Sequence, residues 1–453
     1  MSNVKSCRFV AWVLVFLSGM CVSLAGAADT AGGKKGGNVV PGVTAPTGGA
    51  WKYDVTIFNS GDQYRVNIPQ YRDALVCDDD GTLWLRLVMH FADRSDFYYP
   101  QAAIHVLASK DGGLTWQFTG KPWPFQKITQ STLPDGTIVE TGSHCYVDMD
   151  RWERYPSERI PELKEKGYYV KDMTNKGGYA ALIYDLWMRR STDGGKTWIA
   201  KPIYKQFGFL SYLVSRHYQQ LLDDGTIVAF CSGRPTADGP RNAYIARSED
   251  KGDTWQFVML ADGRLSPIRG GSPIGFHETF PIVYPDGRMF VMIRTQLGDD
   301  AYFVTSDDGG KTWSKPQRSP IRAKHPVPAL LRDGTIVVTY PRRWARPYGI
   351  RARFTSDRGK TWSDEVVIRD NFEIENGLAH PVTVEMSDGT LFTVMQGDKV
   401  VDDGKVQHFI FGSRWSRDYR NNVPPKLPEP PVRPKFNYDR VDKSPWPDAE
   451  IVP

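Results

Sequence analysis

The chain has 453 residues, 40% of them hydrophobic and 24% charged, which excludes a chain disordered throughout, a collagen-like fibre and a coiled coil. Its 57 Lys and Arg against 52 Asp and Glu give a formal charge of +5. No basic run stands out, so nucleic acid is not an expected partner.

The first element in chain order is a leader. Lys5 and Arg8 precede an apolar stretch from Phe9 to Leu24, and Ala25-Gly26-Ala27 supplies a small-residue cleavage site. Residues 1–27 read as a signal peptide, too short and wrongly flanked for a stable membrane span. The expectation is an exported protein, periplasmic or secreted, with no stable membrane span in the mature chain. Loss of the leader removes Cys7 and Cys21 and leaves Cys77, Cys145 and Cys231, an odd count that argues against a disulfide framework. Each lies in or beside a β-rich run, so buried strand cysteines are expected. Residues 28–50 form a Gly-rich linker, and residues 421–453 a Pro-rich tail.

Two motifs interleave between these flanks. One is S/T-x-D-x-G-x-T-W, at SKDGGLTW from Ser109, STDGGKTW from Ser191, SEDKGDTW from Ser248, SDDGGKTW from Ser306 and TSDRGKTW from Thr355. Its Asp suits an Asx-type turn, its Gly allows positive φ, and its Trp can pack beneath, so the boxes read as structural. The other is Asp-Gly between β-rich runs, with aspartates at Asp80, Asp135, Asp224, Asp286, Asp333 and Asp388. That pattern is a hairpin signal. A third strand precedes each box and a fourth tends to follow it. The unit of four strands, repeated about six times, predicts an all-β fold, a six-bladed β-propeller over residues 51–420. The last unit lacks a full box, which a ring closed by strands from both termini explains. An insertion from His144 to about Ala181 contains SERIPELKEKG, which suits a short helix.

In a propeller the innermost strand of each blade lines the axis. Eight residues before each Asp-Gly aspartate stand Arg72, Lys127, Arg216, Glu278, His325 and His380. Three cations, two histidines and one carboxylate suit an anionic ligand, with Lys127 and Arg216 read as solvated channel residues.

The boxes, the six units and the motif order resemble the sialidase or BNR-repeat superfamily, from about residue 60 to 416. The resemblance implies three arginines on a substrate carboxylate, an Asp as acid and base, and a Tyr nucleophile assisted by a Glu. HETFPIVYPDGRMFVMIRT is similar to the family's fourth-blade segment and supplies Glu278 and Arg294. GDQYRVNIPQYRDALV stands where the family has its first arginine, and both Arg65 and Arg72 are candidates. Arg346 precedes its box as the family's third arginine does, with Arg351 and Arg343 close by. Asp96, or Asp93, lies where the family has its acid and base. At the nucleophile position the sequence departs from the family, because His380 in GLAHPVTVEMSDGT replaces the tyrosine. Tyr340 or Tyr348 could supply a phenol from the neighbouring unit.

Three functions compete. The first is an exported sialidase-like glycoside hydrolase acting on an acidic sugar of a glycan, with arginines on the carboxylate and Asp96 as acid. The second is a polysaccharide lyase, in which a His or Tyr abstracts the proton beside a uronate carboxylate; His380, His325 and Tyr340 make it credible. The third is a non-catalytic glycan-binding propeller. With eight scattered histidines and no HxH, HExxH or CxxC spacing, neither a metal nor any other cofactor is expected.

Overall fold

Each Asp-Gly turn closes a hairpin by the same local chemistry. The Asp carboxylate accepts the backbone N–H two residues on, as Asp135 does from Thr137 and Asp333 from Thr335, both at 3.0 Å. The five boxes are equally uniform. In the first, Asp111 accepts from the Ser109 and Thr115 hydroxyls and from the Leu114 and Thr115 N–H groups. The indole N–H of Trp116 donates to the Gly113 carbonyl at 3.0 Å, and Trp198, Trp255, Trp313 and Trp362 repeat that bond. A single side chain thus satisfies most of the turn's backbone donors, which is why the motif tolerates little variation.

In the computed structural model the described residues run from 52 to 419, outside 92–102, 144–154, 203–213 and several shorter segments, among them 174–178, 234–238 and 296–299. The leader, the linker and the tail beyond residue 420 lie outside them, as do Asp93 and Asp96. The hairpins assemble into six antiparallel blades in a propeller ring. Blade 1 consists of Tyr64–Asn67 and Leu75–Cys77, both paired with Leu83–Phe91, then Ala103–Ser109 and Gln117–Phe118. Blade 2 runs through Gln130–Thr132, Ile138–Ser143, Leu186–Ser191 and Ile199–Pro202, and blade 3 through Val214–Leu221, Ile227–Gly233, Asn242–Ser248 and Gln256–Ala261. Blade 4 comprises Phe276–Val283, Met289–Thr295, Asp300–Ser306 and Gln317–Arg322, and blade 5 comprises Val327–Leu330, Ile336–Arg342, Tyr348–Thr355 and Val366–Phe372. Blade 6 takes Ala379–Glu385, Leu391–Val400 and Val406–Trp415 from the end of the chain and Lys52–Asn59 from its beginning. Strands from the two ends therefore close the ring, as the missing sixth box predicts.

The cores lie between neighbouring blades. Leu83, Leu85 and Leu107 of blade 1 pack on Phe392, Val394 and Ile410 of blade 6, and Phe280 and Phe290 of blade 4 pack on Val338 and Tyr340 of blade 5. The boxes take part in this packing. A Cβ on Gly113 would lie 2.0 Å from the Phe392 ring of the preceding blade, so only glycine fits there. Among the box tryptophans Trp255 is buried, while Trp116, Trp198, Trp313 and Trp362 are half-buried. The expectation of an indole sealed beneath every turn holds fully at one box; of the other four, Trp116, Trp313 and Trp362 pack against the core while partly exposed.

The predicted short helix is present as Ile160–Glu165, beside a small sheet of Tyr155–Pro156, Tyr169–Met173 and Tyr179–Ile183. Cys231 is fully buried and Cys77 half-buried, and both are free thiols. Burial pushes both thiols above the ordinary range. Among the described residues no helix is long and apolar enough to cross a membrane.

Candidate active site

The boxes join third to fourth strands, so the opposite face of the ring carries the starts of the first and third strands and the ends of the second. First strands of neighbouring blades abut around the axis, with Val214–Leu221 against Phe276–Val283, that strand against Val327–Leu330, and Val327–Leu330 against Ala379–Glu385. Three of these strands break register near their starts, between Val214 and Tyr218, Phe276 and Thr279, and Ala379 and Val382. Arg216, Glu278 and His380 sit in those irregularities. A bulge re-aims a side chain out of the strand's alternation, so the pleat yields here to the needs of the axis. His380 also holds φ at +50°, a left-handed conformation that costs a non-glycine residue about 1 kcal/mol or more.

These elements build one continuous polar cluster. Arg294 Nη1 donates to Glu278 Oε1 at 2.9 Å, and both side chains are buried. His325 from blade 5 brings Nε2 to 3.8 Å from Glu278 Oε2. The His380 ring stands edge-on to His325, with centroids 4.5 Å apart. His380 Nδ1 lies 3.1 Å from the carbonyl oxygen of Ile68 in blade 1. A carbonyl only accepts, so Nδ1 carries the hydrogen, and in the neutral ring the lone pair is on Nε2.

On the other side, Arg241 Nη1 meets His277 Nε2, and His277 Nδ1 lies 3.5 Å from Glu278 Oε1. A guanidinium only donates, so the proton of neutral His277 is on Nδ1, facing Glu278. Burial, reinforced by the Arg241 charge, pulls the His277 pKa down to about 4. Arg241 is positioned through its backbone: its carbonyl accepts from Phe276 N at 2.8 Å, and a Cβ on Gly275 would come within 2.7 Å of its nitrogen.

The sequence-derived candidates divide accordingly. Glu278, Arg294, His325 and His380 come together. The side chains of Arg65, Arg72 and Arg216 lie outside the described residues, although their backbones fall in blades 1 and 3. Lys127 is exposed and 4.0 Å from Glu140. Arg346 donates to the Glu373 carbonyl at 3.1 Å and lies over the Tyr348 ring, whereas Arg351 is fully buried and donates to the Arg369 carbonyl at 2.9 Å. The two phenols donate to carboxylates of blade 5 and the loop after it, Tyr340 to Glu365 at 2.7 Å and Tyr348 to Glu375 at 3.0 Å. Burial and the Glu365 charge raise the Tyr340 pKa well above the ordinary phenol range. Arg241 and His277 were not legible as site residues. His277 adjoins Glu278, but nothing in the repeat marks Arg241, which opens the third strand of its blade.

A ring of six antiparallel blades with a buried arginine, glutamate and histidine cluster across its axis defines the class: the chain is a six-bladed β-propeller. Residues 217–397 match the BNR repeat-like domain. The chain is 26% identical over 284 residues to a sialidase from Micromonospora viridifaciens, covering 54% of this chain and 42% of that protein. It is 24% identical over 254 residues to a xyloglucanase from a Paenibacillus species, covering 46% of this chain and 23% of that protein. The chain thus spans less than half the length of these curated relatives. Among solved structures, a protein of unknown function from Dyadobacter fermentans aligns with TM-score 0.56 at 23% identity, over 80% of this chain and 97% of that one. Its likeness is one of fold.

Proposed function

We propose that this chain is an exported glycoside hydrolase acting on an acidic, carboxylate-bearing sugar of a glycan. The observation that carries the reading is the make-up of the axial cluster, in which buried Arg294 pairs with Glu278 while buried Arg241 meets a neutral His277 beside that carboxylate. Guanidinium groups held in a low-dielectric setting suit an anionic ligand. In this reading Arg294 holds the sugar carboxylate. Asp96 protonates the departing glycosidic oxygen, and His380 Nε2 takes the proton of the attacking water. The similarity to a sialidase and a xyloglucanase supports hydrolysis of glycans as the class of reaction. The leader at residues 1–27 supports export, which N-terminal sequencing of the mature protein checks.

A second reading, a lyase acting on uronate polysaccharide, is favoured by the His380 tautomer, because the same Nε2 lone pair would serve to remove the proton beside a neutralised carboxylate. The deciding experiment is a catalogue of sugars released from mixed acidic glycans. Saturated reducing sugars support the hydrolase, products absorbing in the near ultraviolet support the lyase, and no release of either kind by folded protein overturns both.

A further inference from the structure

Trp344 is one of the few large apolar side chains exposed among the described residues, with 49% of its surface accessible. It lies in the loop joining the second and third strands of blade 5, on the face opposite the boxes, where the corresponding strand of blade 4 ends at Arg294 and Thr295. Two guanidinium groups flank its ring, with the Cζ atoms of Arg322 and Arg342 at 5.1 and 4.8 Å from the centroid. Arg342 Nε is buried without a hydrogen-bond partner among the described residues. Arg322 ends blade 4 and stands three residues before His325, so their backbones are at most about 11 Å apart. The platform therefore adjoins the axial cluster through the chain segment that delivers His325.

An indole with an open surface offers flat apolar area to the C–H side of a pyranose, and the negative face of its ring holds the two guanidinium groups over it. Guanidinium forks in turn match carboxylate and sulfate oxygens. We infer that Trp344, Arg322 and Arg342 form a subsite for a second, anionic sugar residue of the substrate, next to the residue held at the axis. The substrate class is then a glycan with acidic groups on adjacent residues, not one acidic sugar capping a neutral chain. This inference rests on the axial cluster being the site of a glycan-acting enzyme.

The test is calorimetric titration of the full chain with galacturonate, a galacturonate tetrasaccharide, a sulfated carrageenan tetrasaccharide and cellotetraose. The inference expects Trp344→Ala to weaken binding of at least one anionic tetrasaccharide by about tenfold or more while galacturonate itself changes less than about twofold. Trp344→Phe should keep most of the affinity. The double variant Arg322→Gln with Arg342→Gln should remove the preference for that anionic tetrasaccharide over cellotetraose. Which of the two anionic tetrasaccharides responds separates a carboxylate from a sulfate preference. An unchanged ratio of tetrasaccharide to monosaccharide affinity in Trp344→Ala overturns the subsite. So does an equal loss for cellotetraose, or no binding of any tetrasaccharide by the wild-type chain. Failure of the axial reading has a different signature: Arg294→Lys would leave the galacturonate affinity unchanged.

Discussion

Arg294 and Glu278 stand sixteen residues apart on paired strands of one hairpin, and a 2.9 Å hydrogen bond joins them where neither side chain is exposed. The hairpin alone does not explain this pairing. The break in register between Phe276 and Thr279 turns Glu278 toward the axis, where His277 and His325 also meet it.

Replacing Arg294 by Lys keeps the charge but loses the bidentate fork. Binding of an acidic sugar should fall by about 2 to 4 kcal/mol, because the interaction is desolvated. Calorimetry at constant ionic strength measures this, and unchanged affinity removes Arg294 from the ligand site.

If the proposed reading holds, with His380 as base and Arg294 as anchor, His380→Ala should abolish turnover while leaving acidic-sugar binding largely intact. Full activity in this variant on the substrate found by the glycan screen would leave His380 as a lining residue.

The buried, neutral His277 couples stability to pH. Its folded pKa, about 4, lies below the ordinary value of 6.5, so the unfolded chain binds the proton more tightly. Stability should be fully present above pH 6.5 and decline as pH falls from 6.5 toward 4, by up to about 3 kcal/mol from this group. Urea unfolding at several pH values should show a shallower decline in His277→Asn than in the wild type. Identical slopes would contradict the assignment.

Trp255→Ala should destabilise the fold by about 3 to 5 kcal/mol, and Trp116→Ala or Trp313→Ala by less, because only Trp255 is sealed between blades. Activity per folded molecule should survive in all three. A stable variant with specifically lost turnover would show that the boxes reach the site.

Gly113→Ala should cost more than about 2 kcal/mol, combining the left-handed backbone at φ +93° with the collision against Phe392. Thermal unfolding beside Gly136→Ala separates the two effects, because Gly136 has φ +83° and open space around its Cβ position.

The blade count and the turns were legible in the sequence because each rests on contacts within a few residues, and the missing sixth box pointed to closure by strands from the two ends. Asp111 bonds to Ser109 and Thr115, Trp116 to Gly113, and the repeat multiplies these local signals around the ring. Counting back from the Asp-Gly turns also reached Glu278, His325 and His380, since equivalent positions on the innermost strands converge on one axis. What the count could not give is how those side chains point. The register breaks that re-aim Glu278 and His380 are departures from the regular hairpin, and the Ile68 carbonyl that fixes the His380 tautomer and the approach of Arg241 to His277 join different blades. The competing phenols show the same division. Tyr340 and Tyr348 lie near the right place in the chain, yet packing in blade 5 commits their hydroxyls to Glu365 and Glu375. Contacts between blades depend on how successive sheets twist and pack, which no local pattern of residues encodes, so only the tertiary structure could assemble the site.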